Sequence, residues 1–205
     1  MKKKRLKIKK GQYGYVHDRK IKQTWITIGL IIAPLLVFFT GLYINRTRNT
    51  IVTVVSVVAC LPACKSAVTA IMLYLQTPMK EEEYLAIKAH TKDLTTGFEL
   101  IISAYEKHTF IDSLTVCGNT IVGYSSRKKT DIPFIEKHIR TILKENGFSV
   151  SVKIFKELNL YLHRLDDIQK HSKSLEQGIK FTPNETYPDL SRNEVILHTI
   201  YAISL

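Results

Sequence analysis

The hydrophobic positions of this chain change their pattern near residue 75, from two long apolar runs to short periodic segments. Residues 25–44 are 20 residues without a charged side chain, and residues 51–75 form a second apolar run with one charge, Lys65. At about 1.5 Å per residue, a 20-residue helix matches the hydrocarbon core of a bilayer, which is about 30 Å thick. Residues 45–50 are too few to recross a bilayer, so the pattern predicts an antiparallel transmembrane helical hairpin.

Beyond residue 75 the periodicity alternates between helix-like and strand-like segments. A two-residue turn at Gly118 and Asn119 separates two of the predicted strands. The sequence predicts an α+β fold, in which a small αβββαβ domain with two further helices follows the two-helix hairpin. In chain order these elements cover residues 80–94, 98–106, 110–117, 120–125, 130–146, 148–155, 156–174 and 191–205.

The positive charge lies before the first apolar run. The net charge is +12, and residues 1–24 contain ten Lys or Arg against one acid, whereas residues 76–205 contain 17 basic and 17 acidic side chains. The positive-inside rule therefore predicts both termini in the cytoplasm, with the plasma membrane as the expected location. Because the C-terminal part is neutral, nucleic acid is not expected as a partner. We predict a basic cytoplasmic arm (1–24), a transmembrane hairpin (25–75) and a cytoplasmic α+β domain (76–205).

A cleaved signal peptide is the competing interpretation of the first run. The run is too long for a signal peptide, and no A-x-A-like cleavage site follows it.

The basic arm predicts a contact with anionic lipid headgroups, anchored by a tryptophan at the start of the first run. A topology signal without a specific ligand, or recruitment of RNA, would use the same side chains. The predicted headgroup contacts are Lys2, Lys3, Lys4, Arg5, Lys7 and Trp25.

The second apolar run contains a proline and a lysine that suggest a site within the membrane. Pro62 frees the carbonyl group of Val58 and bends a helix. Lys65 would lie about 15 Å from the inner end of a straight helix, and neither run contains an Asp or Glu to neutralise it. One interpretation is a kinked span whose lysine reaches the nearer interface. The other is a docking point for a membrane protein or for a second copy in a homo-oligomer.

Two cysteines flank this proline. Cys60 and Cys64 lie four residues apart on one helical face, which suits palmitoylation, redox pairing or half of a metal site. We expect instead small buried thiols that pack against the first helix. The predicted binding set is Cys60, Pro62, Cys64 and Lys65, and the small residues expected on the facing helix are Gly29, Pro34 and Gly41.

The predicted C-terminal domain offers one acid on its second strand, Asp112. The element order of residues 80–155 resembles the core of the restriction-endonuclease-like, or PD-(D/E)XK, family. That family has an acid on its second strand and an acid-x-Lys pair on its third, where two carboxylates hold Mg²⁺ and the lysine assists. The resemblance implies a nuclease-like enzyme that uses Asp112 with Glu99 or Glu106. The third predicted strand, however, contains neither an acid nor a lysine.

Other chemical signals in the chain are weak. Histidines near acids (His108, His138 and His163) have no recognised metal or catalytic spacing and suit solvated faces. No phosphate-binding loop or nucleophile motif is found, and no cofactor or metal is expected.

We interpret the chain as a membrane-anchored, non-enzymatic accessory or scaffold module that binds a protein partner through its cytoplasmic domain and hairpin. The alternative is a membrane-tethered, metal-dependent nuclease-like enzyme. A channel or transporter subunit is a third possibility, but one hairpin encloses no pore unless it oligomerises.

Overall fold

The computed structural model describes residues 9–45, 51–104, 107–128, 130–179, 181 and 189–204. Within these residues the chain forms six helices and one four-stranded sheet, and it divides into two compact units. The hairpin unit is Val16–Thr77. The α/β unit combines Met1–Tyr15 with Pro78–Leu205.

The hairpin unit contains two long apolar helices, α1 (Tyr15–Asn45) and α2 (Ile51–Tyr74). Both are long and apolar enough to cross a membrane, with mean hydropathies of 2.2 and 2.0. The predicted pair of long apolar helices is therefore confirmed. α1 begins ten residues before the predicted span, so the second part of the basic arm is helical.

The two helices pack through a stripe of small side chains on α2. The stripe repeats at alternating spacings of three and four residues, which keeps one seam facing a partner helix. Small side chains let helix backbones approach closely. A Cβ atom built on Gly41 of α1 would lie 2.5 Å from Val52 Cγ1, so any larger residue at this crossing would require Val52 to move. The buried and half-buried residues of the stripe are Ser56, Ala59, Ala63, Ser66, Ala70 and Leu73.

Polar side chains fix the register of the two helices. Ser66 Oγ shares hydrogen bonds with Gln23 Nε2 at 3.0 Å and with Thr27 Oγ1 at 2.8 Å. Further along, Lys20 Nζ donates to the carbonyl oxygen of Gln76. The last turns of α2 therefore run beside the basic first turns of α1.

The predicted packing of this pair is partly right. Pro34 and Gly41 are buried as predicted, but Gly29 is exposed, with open space around it. Cys60 and Cys64 are exposed as well, so the prediction that they pack against α1 is wrong. Each thiol lies one position beyond an alanine of the small-residue stripe, and that offset turns both away from α1.

The α/β unit confirms the predicted α+β class and the predicted order of elements. Several boundaries differ by up to four residues: the first helix ends four residues early, in a turn, the first two strands each begin three residues early, and the last strand begins three residues late. The elements are α3 (Glu81–His90), β1 (Thr95–Ala104), β2 (Lys107–Cys117), β3 (Thr120–Tyr124), α4 (Ile132–Glu145), β4 (Ser151–Phe155), α5 (Leu158–Glu176) and α6 (Arg192–Ile203).

The sheet is mixed and has the order β1-β2-β3-β4. The first three strands form an antiparallel meander, and α4 crosses over so that β4 pairs with β3 in parallel. α4 and α6 cover one face of the sheet, and α3 and α5 cover the other, each over its own apolar cluster. The unit is thus a three-layer α/β/α arrangement. The final helix, which is apolar around most of its surface, packs on the sheet through Ile196, Leu197 and Ile200.

The residues that precede α1 are part of the α/β unit. We call residues 9–14 the N-terminal segment. The carbonyl oxygen of Gly11 accepts the Phe98 N–H of β1 at 2.8 Å, and the ring of Tyr13 stacks on that of Tyr84 at 4.2 Å. The segment therefore docks on the outer edge of β1.

Both edges of the sheet are covered in part. On β1, the N-terminal segment covers one end, and Ser204 forms a bridge to Ile102 near the other. On β4, Glu136 Oε1 accepts the Ile154 N–H at 2.7 Å. Covered edges protect a sheet from pairing with other chains.

The small-residue stripe generates a prediction with a matched control. Ala63→Phe should destabilise the full-length chain in mild detergent by roughly 1–3 kcal/mol, because the new ring overfills a tight seam. The neighbouring change Cys64→Phe adds a similar ring on the exposed face and should leave the free energy of unfolding nearly unchanged. Chemical denaturation of both variants measures the difference, and equal effects would contradict this packing.

Candidate functional site

The sheet has one irregular point, between Glu99 on β1 and Asp112 on β2. The residues on either side of the two acids pair in the ordinary antiparallel register, so the acids occupy the same level. Glu99 has a φ of +53°, in the left-handed region that side chains other than glycine rarely adopt.

Side chains change face at this point of β1. Phe98 packs against the apolar cluster under α3 and α5, whereas Leu100 belongs to the cluster under α4 and α6. Regular alternation would put residues two apart on the same face. The left-handed backbone of Glu99 accounts for this change of face.

β2 makes the same switch beside Asp112. Ser113 Oγ shares a hydrogen bond of 3.0 Å with Tyr161 OH of α5, whereas Ile111 belongs to the opposite cluster. Both strands therefore change face at the same level. The two acids at that level are buried: Glu99 is 2% exposed and Asp112 is 1% exposed.

Asp112 forms a hydrogen bond with the backbone just beyond β3. Its Oδ2 atom accepts the Ser126 N–H at 2.6 Å. Burial raises the pKa of Asp112, and the hydrogen bonds from Ser126 with the positive charge of Arg127 only partly offset that rise. The carboxyl group therefore acts first as an acceptor that holds the backbone after β3.

A third acid, Glu83 of α3, interacts electrostatically with Asp112. Burial and the charge of Asp112 raise the pKa of Glu83. The pKa of Tyr124 is raised to about 12, mainly by burial and further by the negative charges of Glu83 and Asp112. We call Glu83, Glu99 and Asp112 the acidic cluster.

The N-terminal segment interacts electrostatically with one of these acids, Glu99, through Tyr13. Burial raises the pKa of Tyr13, and the charges of Glu81 and Glu99 raise it further. The segment thus places the phenol of Tyr13 within electrostatic range of Glu99.

Two acids of the cluster, Glu83 and Asp112, have raised pKa values. The raised pKa values of Glu83 and Asp112 favour the neutral carboxylic acid over the carboxylate. Across the part of the chain that the structure describes, no group of three or more His, Cys, Asp or Glu side chains is arranged to hold a metal ion.

The nuclease-like resemblance stays a prediction, and the structure gives the positions of the residues that it names. Asp112 lies on β2, with Glu99 at the same level on β1; Glu106 lies outside the described residues. β3 ends at Tyr124 and carries neither an acid nor a lysine. A cation that acts on Asp112 is Arg127, whose guanidinium lies over an aromatic ring at 4.7 Å.

The predicted membrane residues of α2 are all exposed and lie outside the small-residue stripe: Cys60, Pro62, Cys64 and Lys65. We call the exposed surface of α2 outside that stripe the outer face of α2. Trp25 on α1 is 71% exposed, while the other predicted headgroup contacts, Lys2, Lys3, Lys4, Arg5 and Lys7, lie outside the described residues.

Sequence reasoning missed two features of the site. Glu83 had no signal beyond its place in an acidic first helical turn. The second feature is on the surface, where Asp166 Oδ1 shares a hydrogen bond of 2.6 Å with His90 Nδ1 rather than with the nearby His163. That hydrogen bond lowers the pKa of Asp166 and links α3 to α5.

Comparison with protein-family models, curated proteins and solved structures gives no match to this chain. The acidic cluster and the outer face of α2 are therefore the features on which a function can be argued.

The raised pKa of Asp112 generates a prediction about stability and pH. A raised pKa means that the folded protein binds this proton more tightly than the unfolded chain does, so the contribution to stability is present at low pH and is lost as pH rises through the folded pKa. Relative to Asp112→Asn, whose amide oxygen can still accept the Ser126 N–H, the wild type should therefore gain stability as the pH falls towards about 4. Chemical denaturation at several pH values measures this difference.

The exposed change Asp167→Asn on α5 is measured beside it as a control that removes one carboxylate from the surface. A difference between wild type and Asp112→Asn that stays constant with pH would refute the assignment of a raised pKa to Asp112.

Proposed function

We propose that this chain is a membrane-anchored, non-enzymatic accessory module that binds a protein partner at the cytoplasmic face of the plasma membrane. α1 and α2 form the anchor, and both the N-terminal segment and the rest of the α/β unit are cytoplasmic. The observation that carries the proposal is the docking of the N-terminal segment on β1, because it joins the two ends of the anchor to one domain.

The exposed apolar surface of the hairpin unit supports a membrane anchor. Among the described residues, the large hydrophobic side chains that stay exposed lie between Ile21 and Leu75, apart from Leu85 and Leu160. Soluble monomers rarely leave apolar patches of more than a few hundred Å² uncovered. A bilayer covers such a surface, and helices satisfy their backbone hydrogen bonds within it.

The docked N-terminal segment supports a two-span topology. Residues before α1 and residues after α2 are joined by the hydrogen bond from Phe98 to Gly11 and by Lys10 Nζ, which donates to the Tyr201 carbonyl oxygen at 2.7 Å. An odd number of spans would separate these residues by the bilayer. The ten Lys or Arg of residues 1–24, against two in the connection between the helices, favour the cytoplasmic side.

The burial of the central acids supports a binding role over a catalytic one. Glu99 and Asp112 are almost fully buried, and Asp112 already holds a backbone N–H. A catalytic acid must come within hydrogen-bonding reach of a substrate. The exposed leucines of the α/β unit, Leu85 on α3 and Leu160 on α5, lie instead in one layer of the domain and are available to a partner.

This proposal is tested by crosslinking in native membranes. A photoreactive amino acid at Leu85 or Leu160 should give discrete protein adducts, because apolar anchors concentrate the binding energy of an interface. The same amino acid at Lys137, which is exposed on α4 in the opposite layer, serves as the control and should give none. Adducts at all three positions, or at none, would contradict a partner surface on the α3 and α5 layer.

The second candidate is a membrane-tethered, metal-dependent nuclease-like enzyme. The observation that favours it is the position of Asp112 on the second strand of an αβββαβ core, with Glu99 at the same level on the neighbouring strand. Mg²⁺-dependent cleavage of DNA by the full-length chain, lost in Asp112→Asn, would establish this candidate in place of the accessory role.

A further inference from the structure

Lys65 lies level with the start of the uncharged run of α1. Its neighbour Ser66 is hydrogen-bonded to Gln23 and Thr27, which stand on either side of Trp25. Two residues of helix correspond to about 3 Å along the axis, so Lys65 lies within about one helical turn of the level of Trp25.

The depth of Lys65 in the bilayer therefore differs from the depth that a straight, isolated helix would give it. Counting from the inner end of the apolar run puts Lys65 about 15 Å inside it. The last turns of α2, however, run beside the basic first turns of α1, where Lys20 donates to the carbonyl oxygen of Gln76. Those turns of α2 thus lie beyond the level of Trp25, next to charged residues. They should not be counted in the distance from Lys65 to the membrane interface.

The chain offers no carboxylate to this lysine at its own level. The sequence contains no Asp or Glu between Asp18 and Glu81, so a second copy of the hairpin would bring none either. Lys65 is exposed on the outer face of α2, between the exposed side chains of Leu61 and Val68. Its counter-charge must come from a different molecule.

The surroundings of Lys65 are those of a headgroup interface. Trp25 is 71% exposed, and Lys22, one turn before it, is exposed too. Tryptophan is enriched where hydrocarbon meets headgroups, and the stem of a lysine can lie along an apolar surface while its ammonium group reaches the polar layer. A lysine at this level does not need a carboxylate on a partner helix.

We propose that Lys65 binds the phosphate group of an anionic phospholipid in the leaflet that contains Trp25. The ammonium group donates hydrogen bonds to the phosphate oxygens, and the methylene stem lies along Leu61 and Val68. This inference rests on the proposed membrane anchor and adds a specific ligand to it.

The test reconstitutes the full-length chain in vesicles of phosphatidylcholine with a phosphatidylglycerol that carries a photoreactive headgroup. Adducts in α2 are quantified by mass spectrometry against adducts in residues 1–24, which serve as an internal reference for the basic arm. The variants are Lys65→Leu and Lys65→Arg, with Lys137→Leu on exposed α4 as the control that removes the same charge elsewhere.

Lys65→Leu should lower the α2 adducts about fivefold relative to the reference, the ratio expected for one lysine near an anionic surface. Lys65→Arg, which keeps the charge, and Lys137→Leu should both match the wild type. Unchanged α2 adducts in Lys65→Leu would overturn the proposal. So would native-membrane crosslinks from the outer face of α2 to another protein that Lys65→Leu abolishes while lipid adducts persist.

Alkaline carbonate extraction of the same vesicles separates this inference from the proposed anchor. A wild-type chain that carbonate releases is not membrane-embedded, which overturns both. A chain that resists extraction but shows equal lipid adducts with and without Lys65 overturns the phosphate site alone.

Discussion

The hydrogen bond from the Phe98 N–H to the Gly11 carbonyl ties the beginning of the chain to the domain at its end, and the proposed topology depends on it. An edge strand has backbone groups that need partners, and the N-terminal segment supplies one. The segment also brings the ring of Tyr13 onto Tyr84. Gly11 is required there, because a Cβ atom would collide with the ring of Tyr201. With both ends of the hairpin joined to one domain, an even number of spans is the arrangement consistent with this contact.

The same edge leads directly to the irregular point of the sheet. Glu99 follows Phe98, whose N–H binds the N-terminal segment. At the left-handed backbone of Glu99 the side chains of β1 change face, and those of β2 change face at the same level. Such a backbone costs of order 1–3 kcal/mol and persists only where the surrounding packing holds it. Here the opposite acid, Asp112, is fixed to the Ser126 N–H. The left-handed residue therefore lies beside a buried acid that is held by a hydrogen bond.

Local patterns predicted the elements well, because each has its own signal in the sequence. α4 begins at an Asp131 cap followed by a proline, and β4 alternates strictly between buried and exposed residues. The docked N-terminal segment has no such signal, since it depends on one backbone bond and on contacts far away in sequence. The left-handed backbone of Glu99 was not predicted for a related reason, because it depends on two strands that change face at the same level. The outward direction of Cys60 and Cys64 was missed because α2 is apolar on every side, and only the spacing of its small residues distinguishes the packed face.

The most direct test of the account is the sidedness of three single cysteines in a chain otherwise free of them, placed at Gln12, Arg48 and Lys137. A membrane-impermeant maleimide is applied to sealed vesicles of known orientation. The account predicts that positions 12 and 137 react from the same, cytoplasmic side and that position 48 reacts from the opposite side. Reaction of positions 12 and 137 from opposite sides, or of all three from one side, would contradict the two-span anchor and the docking of the N-terminal segment across it.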